Sequence, residues 1–343
     1  MSENNRFDVS FISVIVPVRN EEKHITAVLD ALLAQEYPKD RFEVLVADGC
    51  STDKTYETVR GYAERHSQIQ LFLNPKKLSS AARNIGIRES HGEIIVIIDG
   101  HCLIDNPQMF ANIDRAMRSS EIAALGRPQP LFLENASALQ KAIALARHSR
   151  LGHHPDSFIY SDQPQRVPAI STAVVYRRAV FEQIGMFDER FDACEDCELN
   201  YRIDQAGLLC YFTPDIAVSY KPRNSIRGLF RQLYRYGRGR IRLAKKHRDS
   251  FSFKMFLPAL MILGVLIGGV LSFLSPLAYW GYIAALILYM MIVGLESLRL
   301  VFINRFAAGI VLLPIIFLTI HAASGIGELA ELLTPFSNKN NDV

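Results

Sequence analysis

A long stretch in the last third of this chain has no charged side chains. Residues Met255–Leu295 contain no Asp, Glu, Lys or Arg over 41 positions, and only Ser275-Pro276 interrupts the apolar run. A similar stretch follows at Phe306–Gly327. A hydrocarbon core about 30 Å thick requires about 20 apolar helical residues, so these stretches are long enough to cross a membrane. We therefore predict about three transmembrane helices, at 256–274, 277–295 and 306–327.

Ahead of these helices the sequence has the patterning of a water-soluble domain. A chain of 343 residues can hold one domain of about 200 residues and a membrane region. No N-terminal signal peptide is expected, since the run Phe11–Val18 is too short to be one. The predicted parts are a cytoplasmic α/β domain at 1–222, a basic amphipathic interfacial helix at 223–250, a membrane region at 255–334 and a polar tail at 335–343.

Positive charge is concentrated just before the membrane region. The formal net charge is only +3, yet the segment Lys221–Arg248 contains eleven Lys or Arg and no acid. Such a block suits anionic headgroups at about 1 kcal/mol per cation, although it can also be a topogenic signal alone. Together with Arg299 and Arg305, it predicts a multi-pass protein of the cell membrane with its head and the loop 296–305 in the cytoplasm. Five cysteines in the first two thirds of the chain fit the same reducing compartment.

Strand and helix patterns alternate in the first hundred residues. β-rich apolar runs are separated by helical spacings, without hairpin signals. This order predicts a Rossmann-like, mostly parallel sheet with right-handed crossovers and helices on both faces. Such sheets bind ligands beyond the carboxyl ends of their strands. The predicted strands are 10–18, 42–47, 69–73, 93–98, 123–126 and 173–176, and the predicted helices are 21–35, 51–66, 79–90, 106–119, 140–150 and 195–206.

Two acids stand at the carboxyl ends of predicted strands, so they should converge on one crevice. In Asp99-Gly100-His101, a carboxylate and an imidazole could hold a divalent cation beside a diphosphate. Oxygen ligands suit Mg²⁺ or Mn²⁺, and the imidazole favours Mn²⁺ slightly. An isolated Asp-Gly is, however, more often only a turn. Asp48 could accept a hydrogen bond from a base or a ribose hydroxyl, whereas Asp53 is better explained as the first-turn acid of a helix.

A third acidic motif, Glu195-Asp196, opens a predicted helix. A carboxylate at a helix N-terminus stays ionised, stabilised by about 0.3–1 kcal/mol. An ionised carboxylate can serve as the general base for a sugar hydroxyl. The alternative is an ordinary acid that complements the helix dipole.

The basic helix before the membrane has a polar and an apolar face. Gln232 and Arg235 are three residues apart, so they share a face and could present an amide and a guanidinium to a diphosphate. Alternatively, the helix simply lies in the headgroup plane on its apolar face. That face consists of Ile226, Leu229, Phe230 and Leu233.

Six of these segments form an ordered set: Val14–Glu22, Asp48–Asp53, Ala82–Gly86, Asp99–His101, Glu195-Asp196 and Gln232–Tyr236. The set resembles the motifs of family 2 inverting glycosyltransferases, which have a GT-A head, and the resemblance covers about residues 10–240. Single motifs of this kind are common, but six in order are specific. The segments 152–157, 187–189 and 236–240 resemble more closely the membrane-bound glucosyltransferases of succinoglycan biosynthesis.

The resemblance implies a role for each matching position. Asp196 would be the catalytic base, and Asp99 with His101 would hold the metal. The donor site would be formed by Pro17, Asn20, Glu21 and Asp48 around the nucleoside and by Arg83 and Asp99 near the phosphates. The acceptor or the diphosphate would be supported by Glu195, Gln232, Arg235 and Tyr236.

The same resemblance implies the reaction and its partners. A sugar would move from a nucleotide donor, with UDP-hexose favoured, to a lipid-linked saccharide in cell-surface or extracellular polysaccharide synthesis, forming a β-linkage. Mn²⁺ or Mg²⁺ would be the cofactor, membrane lipids would be partners, and nucleic acid would not. Three positions depart from the family: His101 replaces a second acid, Tyr236 replaces Trp, and Ala47 replaces a tandem Asp. These departures leave the identity of the metal undecided and weaken the analogy with processive synthases.

Two other functions fit parts of the pattern. A polyprenyl-phosphate sugar synthase would use the lipid phosphate itself as the acceptor. A membrane-tethered nucleotide-sugar sensor would bind the donor without turnover, but the presence of both Asp99 and Asp196 argues against it. A transporter is disfavoured because the three spans contain almost no polar groups for a substrate path.

Overall fold

The computed structural model describes residues 9–153 and 158–335, which form two compact units. The first unit contains the described residues up to Pro130 and those from 158 to Lys221. The second contains residues 131–153 and 222–335. Most of the predicted polar tail, at 336–343, and part of the predicted motif at 152–157 lie outside the described residues.

Ten strands and eleven α-helices are present in the described residues. The strands are β1 (Ile12–Val18), β2 (Phe42–Asp48), β3 (Ile69–Leu73), β4 (Ile94–Ile97), β5 (Cys102–Leu103), β6 (Ile122–Gly126), β7 (Gln165–Arg166), β8 (Ala173–Arg177), β9 (Leu209–Phe212) and β10 (Ser219–Tyr220). The helices are α1 (Ile25–Leu33), α2 (Thr55–Ala63), α3 (Ser79–Glu89), α4 (Met109–Met117), α5 (Ala138–His148), α6 (Arg178–Ile184), α7 (Glu195–Gln205), α8 (Ile226–Lys246), α9 (Leu257–Leu271), α10 (Pro276–Asn304) and α11 (Gly309–Leu332).

The first unit is built on a mixed sheet of eight strands in the order β3-β2-β1-β4-β8-β6-β9-β7. Strands β1 to β4 pair in parallel, as predicted. Strand β8, however, inserts between β4 and β6 and runs antiparallel to both. An antiparallel neighbour needs no crossover helix, so the alternation of strands and helices in the sequence does not reveal it. A separate antiparallel pair joins β5 to β10.

Both faces of this sheet are buried, because successive residues of a strand point to opposite sides. Val14 and Val16 belong to one apolar cluster, with α1, α4 and the strands β2 and β4. Ile15, between them, belongs to a second cluster with α6, α7 and β8. All three side chains are fully buried. This two-sided burial explains why β1 reads as a continuous apolar run rather than an alternating one.

Three helices of the second unit are long and apolar enough to cross a membrane. Their bounds are Phe253–Leu271, Pro276–Asn304 and Gly309–Leu332. The predicted loop at 296–305 is mostly helical instead, since α10 continues to Asn304. Glu296 and Arg299 lie one helical turn apart and form a two-bond ion pair at 2.7 Å, so these charges extend the helix rather than end it.

Part of the apolar face of α8 is covered by other helices of the second unit. Leu229 and Leu233 are buried in a cluster with Ile143 of α5 and Phe317 of α11. These two side chains are therefore not available to headgroups, whereas Ile226 of the same face is 39% exposed. The interfacial placement of the helix stays a prediction. The helix is also shorter than the predicted 223–250. Helix α5, which falls within the predicted α/β domain at 1–222, belongs to the second unit instead.

Helices α8 and α11 approach so closely that glycine is required between them. A Cβ atom on Gly327 would lie 2.2 Å from the carbonyl oxygen of Tyr234, which is backbone and cannot move aside cheaply. We expect Gly327→Ala to destabilise the protein by about 1–3 kcal/mol, because overpacking must be relieved by separating the two helices. The melting temperature of the detergent-solubilised protein measures this loss.

Gly264→Ala on α9 is the matched control. A Cβ atom there meets no described atom within 4 Å, and alanine favours a helix more than glycine does. Equal melting temperatures for the two variants would contradict the close α8–α11 contact.

Candidate active site

The carboxyl ends of β1 and β2 form the first part of the candidate site. Their parallel register places Val18 beside Asp48. The amide of Asn20 donates to Ser51 Oγ at 2.9 Å, and the amide of Thr52 donates back to Asn20 Oδ1 at 2.8 Å. Both the amide and the hydroxyl of Ser51 donate to the Asp48 carboxylate. The two loops after these strands are therefore tied together, and Asp48, only 1% exposed, is anchored between them.

Backbone strain is present in three loops next to predicted site residues. Asn20 and Cys50 have φ of 58° and 54°, and Cys194, just before α7, has φ of 60°. Left-handed conformations at residues other than glycine cost about 1–3 kcal/mol and concentrate at functional sites. These three positions therefore support a functional role for the loops after β1 and β2 and before α7.

Glu21 and His101 connect the end of β1 to the end of β4. His101 Nδ1 lies 3.0 Å from Glu21 Oε1, and the His101 ring packs edge-on against Tyr220 with 5.9 Å between centroids. Gly100 makes this approach possible, since a Cβ atom there would lie 2.7 Å from a methyl group of Val18. A residue predicted for the nucleoside pocket thus contacts a predicted metal ligand.

Asp99 is held from two sides. Tyr220 Oη donates to Asp99 Oδ2 at 3.1 Å, and Arg83 Nη2 lies 3.7 Å from Asp99 Oδ1. Burial by itself would raise the pKa of Asp99, but the charges of Arg83 and His101 and the Tyr220 hydrogen bond together hold that pKa below its usual range. Asp99 is therefore a carboxylate at neutral pH, as a cation ligand must be.

Arg83 of α3 is the centre of the acidic cluster. Its side chain is only 8% exposed, its Nη1 lies 3.2 Å from Glu195 Oε1, and its guanidinium lies over the Phe187 ring at 5.2 Å. Burial lowers the pKa of this guanidinium, but the neighbouring carboxylates outweigh burial and raise the pKa above its ordinary value. The carboxylates that act on it are those of Glu195, Asp99 and Asp196.

Glu195 and Asp196 occupy the first turn of α7 in different environments. Glu195 is 7% exposed, and burial raises its pKa above the usual range, opposed by the charge of Arg83. Asp196 is partly exposed, and its Oδ1 accepts a hydrogen bond from the Cys197 amide at 2.8 Å. The buried acid can fix Arg83, whereas the more accessible acid remains available to a hydroxyl group.

Asp99 and His101 are two side chains that could ligate a cation, but the site lacks a group of three such side chains among the described residues. Among the described residues, no group of three or more His, Cys, Asp or Glu side chains is arranged to hold a metal. Asp99 and His101 nevertheless provide a carboxylate and an imidazole two residues apart. Mg²⁺ is commonly held by one or two protein carboxylates, with substrate phosphates and water completing its shell. The donor set therefore fits a cation that binds together with a diphosphate.

The remaining predicted site residues belong to α8 in the second unit. Gln232 Nε2 donates to Tyr236 Oη at 3.1 Å, and Arg223 Nε donates to Gln232 Oε1 at 3.3 Å. Arg235, three residues after Gln232, is exposed. The roles of Gln232, Arg235 and Tyr236 toward an acceptor or a diphosphate stay predictions.

Two residues of the site escaped the sequence analysis. Tyr220 precedes the basic segment and belongs to no motif, so nothing in its neighbourhood marks it. Arg127 directly follows the predicted strand 123–126, and its charge acts on Asp99. Asp48 and Asp99 are charged residues at the carboxyl ends of apolar strands, and Arg127 occupies the same kind of position after its own strand.

Comparison with known proteins gives a consistent result. The model of the family described as "Glycosyl transferase family 2" matches residues 13–185. A curated relative from Methanococcus voltae, a dolichyl N-acetyl-alpha-D-glucosaminyl phosphate 3-beta-D-2,3-diacetamido-2,3-dideoxy-beta-D-glucuronosyltransferase, is 28% identical over 95% of this chain and 98% of its own. Succinoglycan biosynthesis protein ExoA of Rhizobium meliloti is 29% identical over 77% of this chain and 79% of its own.

A solved structure shows the same fold. Mannosyltransferase PcManGT from Pyrobaculum calidifontis, in complex with GDP-Man and Mn²⁺, aligns with a TM-score of 0.60 and 22% identity. The alignment covers 95% of this chain and 88% of that one. At this identity the likeness concerns the fold alone.

Proposed function

This chain belongs to glycosyl transferase family 2, and we propose that it transfers a hexose from a nucleotide sugar to a lipid-linked saccharide with inversion at the anomeric carbon. The enzyme class follows from the family and from glycosyltransferase relatives that match most of the chain. The named Methanococcus relative acts on a dolichyl phosphate sugar. We extend this lipid-linked acceptor class to this chain. A lipid-linked acceptor lies in the membrane, which explains why a family 2 enzyme would also carry three apolar helices.

One observation carries the proposal: a single buried guanidinium links the acids of two separate motifs. Arg83 contacts both Asp99, after β4, and Glu195, at the start of α7. Asp196 follows Glu195 directly, so the predicted base and the predicted cation ligand share one electrostatic cluster. A transferase that displaces a diphosphate with a deprotonated hydroxyl needs these two functions side by side.

In the proposed reaction, Asp196 accepts the proton of the acceptor hydroxyl as that oxygen attacks C1 of the donor sugar. The attack occurs opposite the leaving nucleoside diphosphate, so an α-linked donor gives a β-linked product. A general base in this position contributes about 10²–10⁴-fold to the rate. Arg83 and Glu195 keep the surrounding charges fixed during the transfer.

The leaving diphosphate requires positive charge. Asp99 and His101 are the residues that would hold Mn²⁺ or Mg²⁺, and a bound cation would neutralise negative charge on the phosphates. Arg83 adds a permanent charge at the same place. The carboxyl ends of β1 and β2, with Pro17 and Asp48, and the loop after β1, with Asn20 and Glu21, would enclose the nucleoside, which is expected to be uridine.

The membrane helices determine which acceptors are available. Nucleotide sugars are cytoplasmic, and the basic segment at 221–248 favours a cytoplasmic head by the positive-inside rule. A lipid-carried saccharide in the inner leaflet would then meet the donor at the membrane surface. We propose a multi-pass protein of the cell membrane that acts in cell-surface or extracellular polysaccharide synthesis.

The proposal predicts cation-dependent use of one nucleotide-sugar class. The full-length protein in detergent is incubated with UDP-glucose, UDP-GlcNAc or GDP-mannose, with MnCl₂ or with EDTA, and the released nucleoside diphosphate is measured. We expect release from a UDP-sugar with Mn²⁺ and little release with EDTA. Equal release of nucleoside diphosphate with EDTA would contradict the requirement for a divalent cation. Release only from GDP-mannose would contradict the preference for a uridine nucleotide.

The acceptor is tested separately. A lipid-linked saccharide should accept the sugar in a β-linkage, whereas bare polyprenyl phosphate should not. Transfer to bare polyprenyl phosphate alone would instead identify a polyprenyl-phosphate sugar synthase.

A further inference from the structure

Arg127, which directly follows β6, is a buried cation that takes no part in the proposed reaction. Its side chain is 1% exposed, and it is among the largest fully buried side chains of the protein. A guanidinium cannot lose its proton in a protein, so this position places a permanent charge inside the first unit. A buried charge is unfavourable unless partners compensate it.

The contacts of Arg127 tie together three strands near Asp99. Arg127 Nη2 donates to the carbonyl oxygen of Ile97 at 3.1 Å, and Ile97 is the last residue of β4, two positions before Asp99. Thr172, which precedes β8, donates its hydroxyl to the carbonyl oxygen of Arg127 at 2.7 Å. Strand β8 lies between β4 and β6, and its first residue, Ala173, pairs with Gly126. The Arg127 side chain therefore crosses the start of β8 to reach the end of β4, just before Asp99.

This arrangement is not the one that stability alone would favour. Nε and Nη1 of Arg127 are buried and have no hydrogen-bond partner among the described residues. Each buried, unpaired donor costs roughly 1–3 kcal/mol, so an apolar side chain of similar length would relieve a penalty here. Residues that lower stability in this way commonly serve function instead.

The local charge balance indicates what that function is. The cluster around Arg83 contains three acids, Asp99, Glu195 and Asp196, and Arg83 alone does not balance them. The charge of Arg127 acts on Asp99 and on Tyr220, the residue that donates to Asp99. Arg127 therefore acts on Asp99 through its charge and through the main chain of β4, whereas Arg83 forms an ion pair with the Asp99 carboxylate.

We propose that Arg127 is a positioning residue that fixes the Asp99 loop for the cation and the diphosphate of the donor. The proposal rests on the proposed function of the site. Because its side chain is buried, Arg127 would act through Ile97 and Asp99 rather than on either ligand directly. Such supporting residues behind a metal ligand typically change affinity by about 10–100-fold when removed.

The test is Arg127→Met in the full-length protein, with UDP as the probe. Calorimetry in the presence of MnCl₂ should show about 10–100-fold weaker UDP binding than in the unmodified protein. The melting temperature should be unchanged or higher, because the two unpaired donors are removed. Arg127→Lys keeps the charge but lacks the guanidinium fork, so it should restore part of the affinity.

Arg178→Met is the matched control. Arg178 also binds the chain next to β4, but before the start of the strand rather than at its end. Its Nε donates to the Gly92 carbonyl oxygen and its Nη2 to Ser90 Oγ, both at 2.8 Å. This variant should lose stability and keep its UDP affinity.

Three outcomes would overturn the inference in distinguishable ways. Unchanged UDP affinity in Arg127→Met would show that Arg127 does not position the site. If Arg127→Met binds UDP more weakly only because less of the protein is folded, as a lower melting temperature would show, Arg127 has a structural role and not a positioning role. If the unmodified protein binds neither UDP nor GDP with Mn²⁺, the proposed donor site fails first, and the role of Arg127 with it.

Discussion

Replacing Asp196 by Asn is expected to reduce sugar transfer by about 10²–10⁴-fold while donor binding persists. The amide has nearly the shape of the carboxylate but cannot accept the hydroxyl proton. Its oxygen can keep the hydrogen bond that Asp196 Oδ1 accepts from the Cys197 amide, so α7 should still begin correctly. Initial transfer rates and calorimetric binding of UDP, measured on the same preparation, separate the loss of chemistry from the loss of binding.

Glu57→Gln provides the control for this prediction. Glu57 is an exposed acid in the first turn of α2, so its replacement removes a helix-dipole interaction without touching the site. Its transfer rate should equal that of the unmodified protein. Near-normal turnover in Asp196→Asn would exclude Asp196 as the base and leave the ordinary first-turn acid as its explanation.

The parallel half of the sheet could be predicted because its signal is local. β3 has the predicted bounds, Ile69–Leu73, and β1 and β2 differ from prediction by only one or two residues at their ends. Buried parallel strands are continuous apolar runs, and the intervening helices show their own spacing. Parallel pairing then places Asp48 and the segment before Asp99 at one edge of the sheet without further information.

The rest of the fold depends on contacts between distant residues. The strand 173–176 was predicted, but its insertion between β4 and β6 in the antiparallel direction leaves no mark in its own five residues. Likewise, α5 shows an ordinary amphipathic pattern at 138–148. That pattern indicates a buried face, but not that the face packs against α8 and α11 rather than against the sheet.

The candidate site divides in the same way. Residues in motifs were identified because their chemistry and their positions agree, and Arg83 does lie between Asp99 and Glu195. Tyr220 was missed because β10 is only two residues long and reaches Asp99 through pairing with β5. A contact across 121 positions between unremarkable neighbours cannot be derived from spacing.

Replacing Arg83 by Met is expected to destabilise the first unit by about 3–5 kcal/mol and to abolish donor binding. The variant leaves Glu195 buried without its guanidinium partner, at a position where burial already raises the Glu195 pKa. It also removes the cation above the Phe187 ring and the charge beside Asp99. Thermal unfolding followed by circular dichroism measures the first effect, and UDP calorimetry measures the second.

The pH dependence of this variant follows from the same carboxyl group. An acid whose pKa is raised on folding binds more protons in the folded state, so stability falls as the pH rises above its unfolded value, about 4.3 for Glu. Without Arg83, the pKa of Glu195 should rise further, so the melting temperature of the Arg83→Met protein should fall more steeply than that of the unmodified protein as the pH rises above about 4.3. Adding Glu195→Gln should restore stability and remove this dependence, but should not restore UDP binding.

Arg60→Met is the control for Arg83→Met, because it breaks an ion pair that is exposed to solvent. Arg60 and Glu64 have side chains 60% and 71% exposed, and such pairs contribute only about 0–1 kcal/mol. A stability loss in Arg83→Met no larger than that in Arg60→Met would show that Glu195 is not buried against a required charge. If Arg83→Met also bound UDP normally, the two acidic motifs would act independently, and the shared cluster that supports the transferase mechanism would be lost.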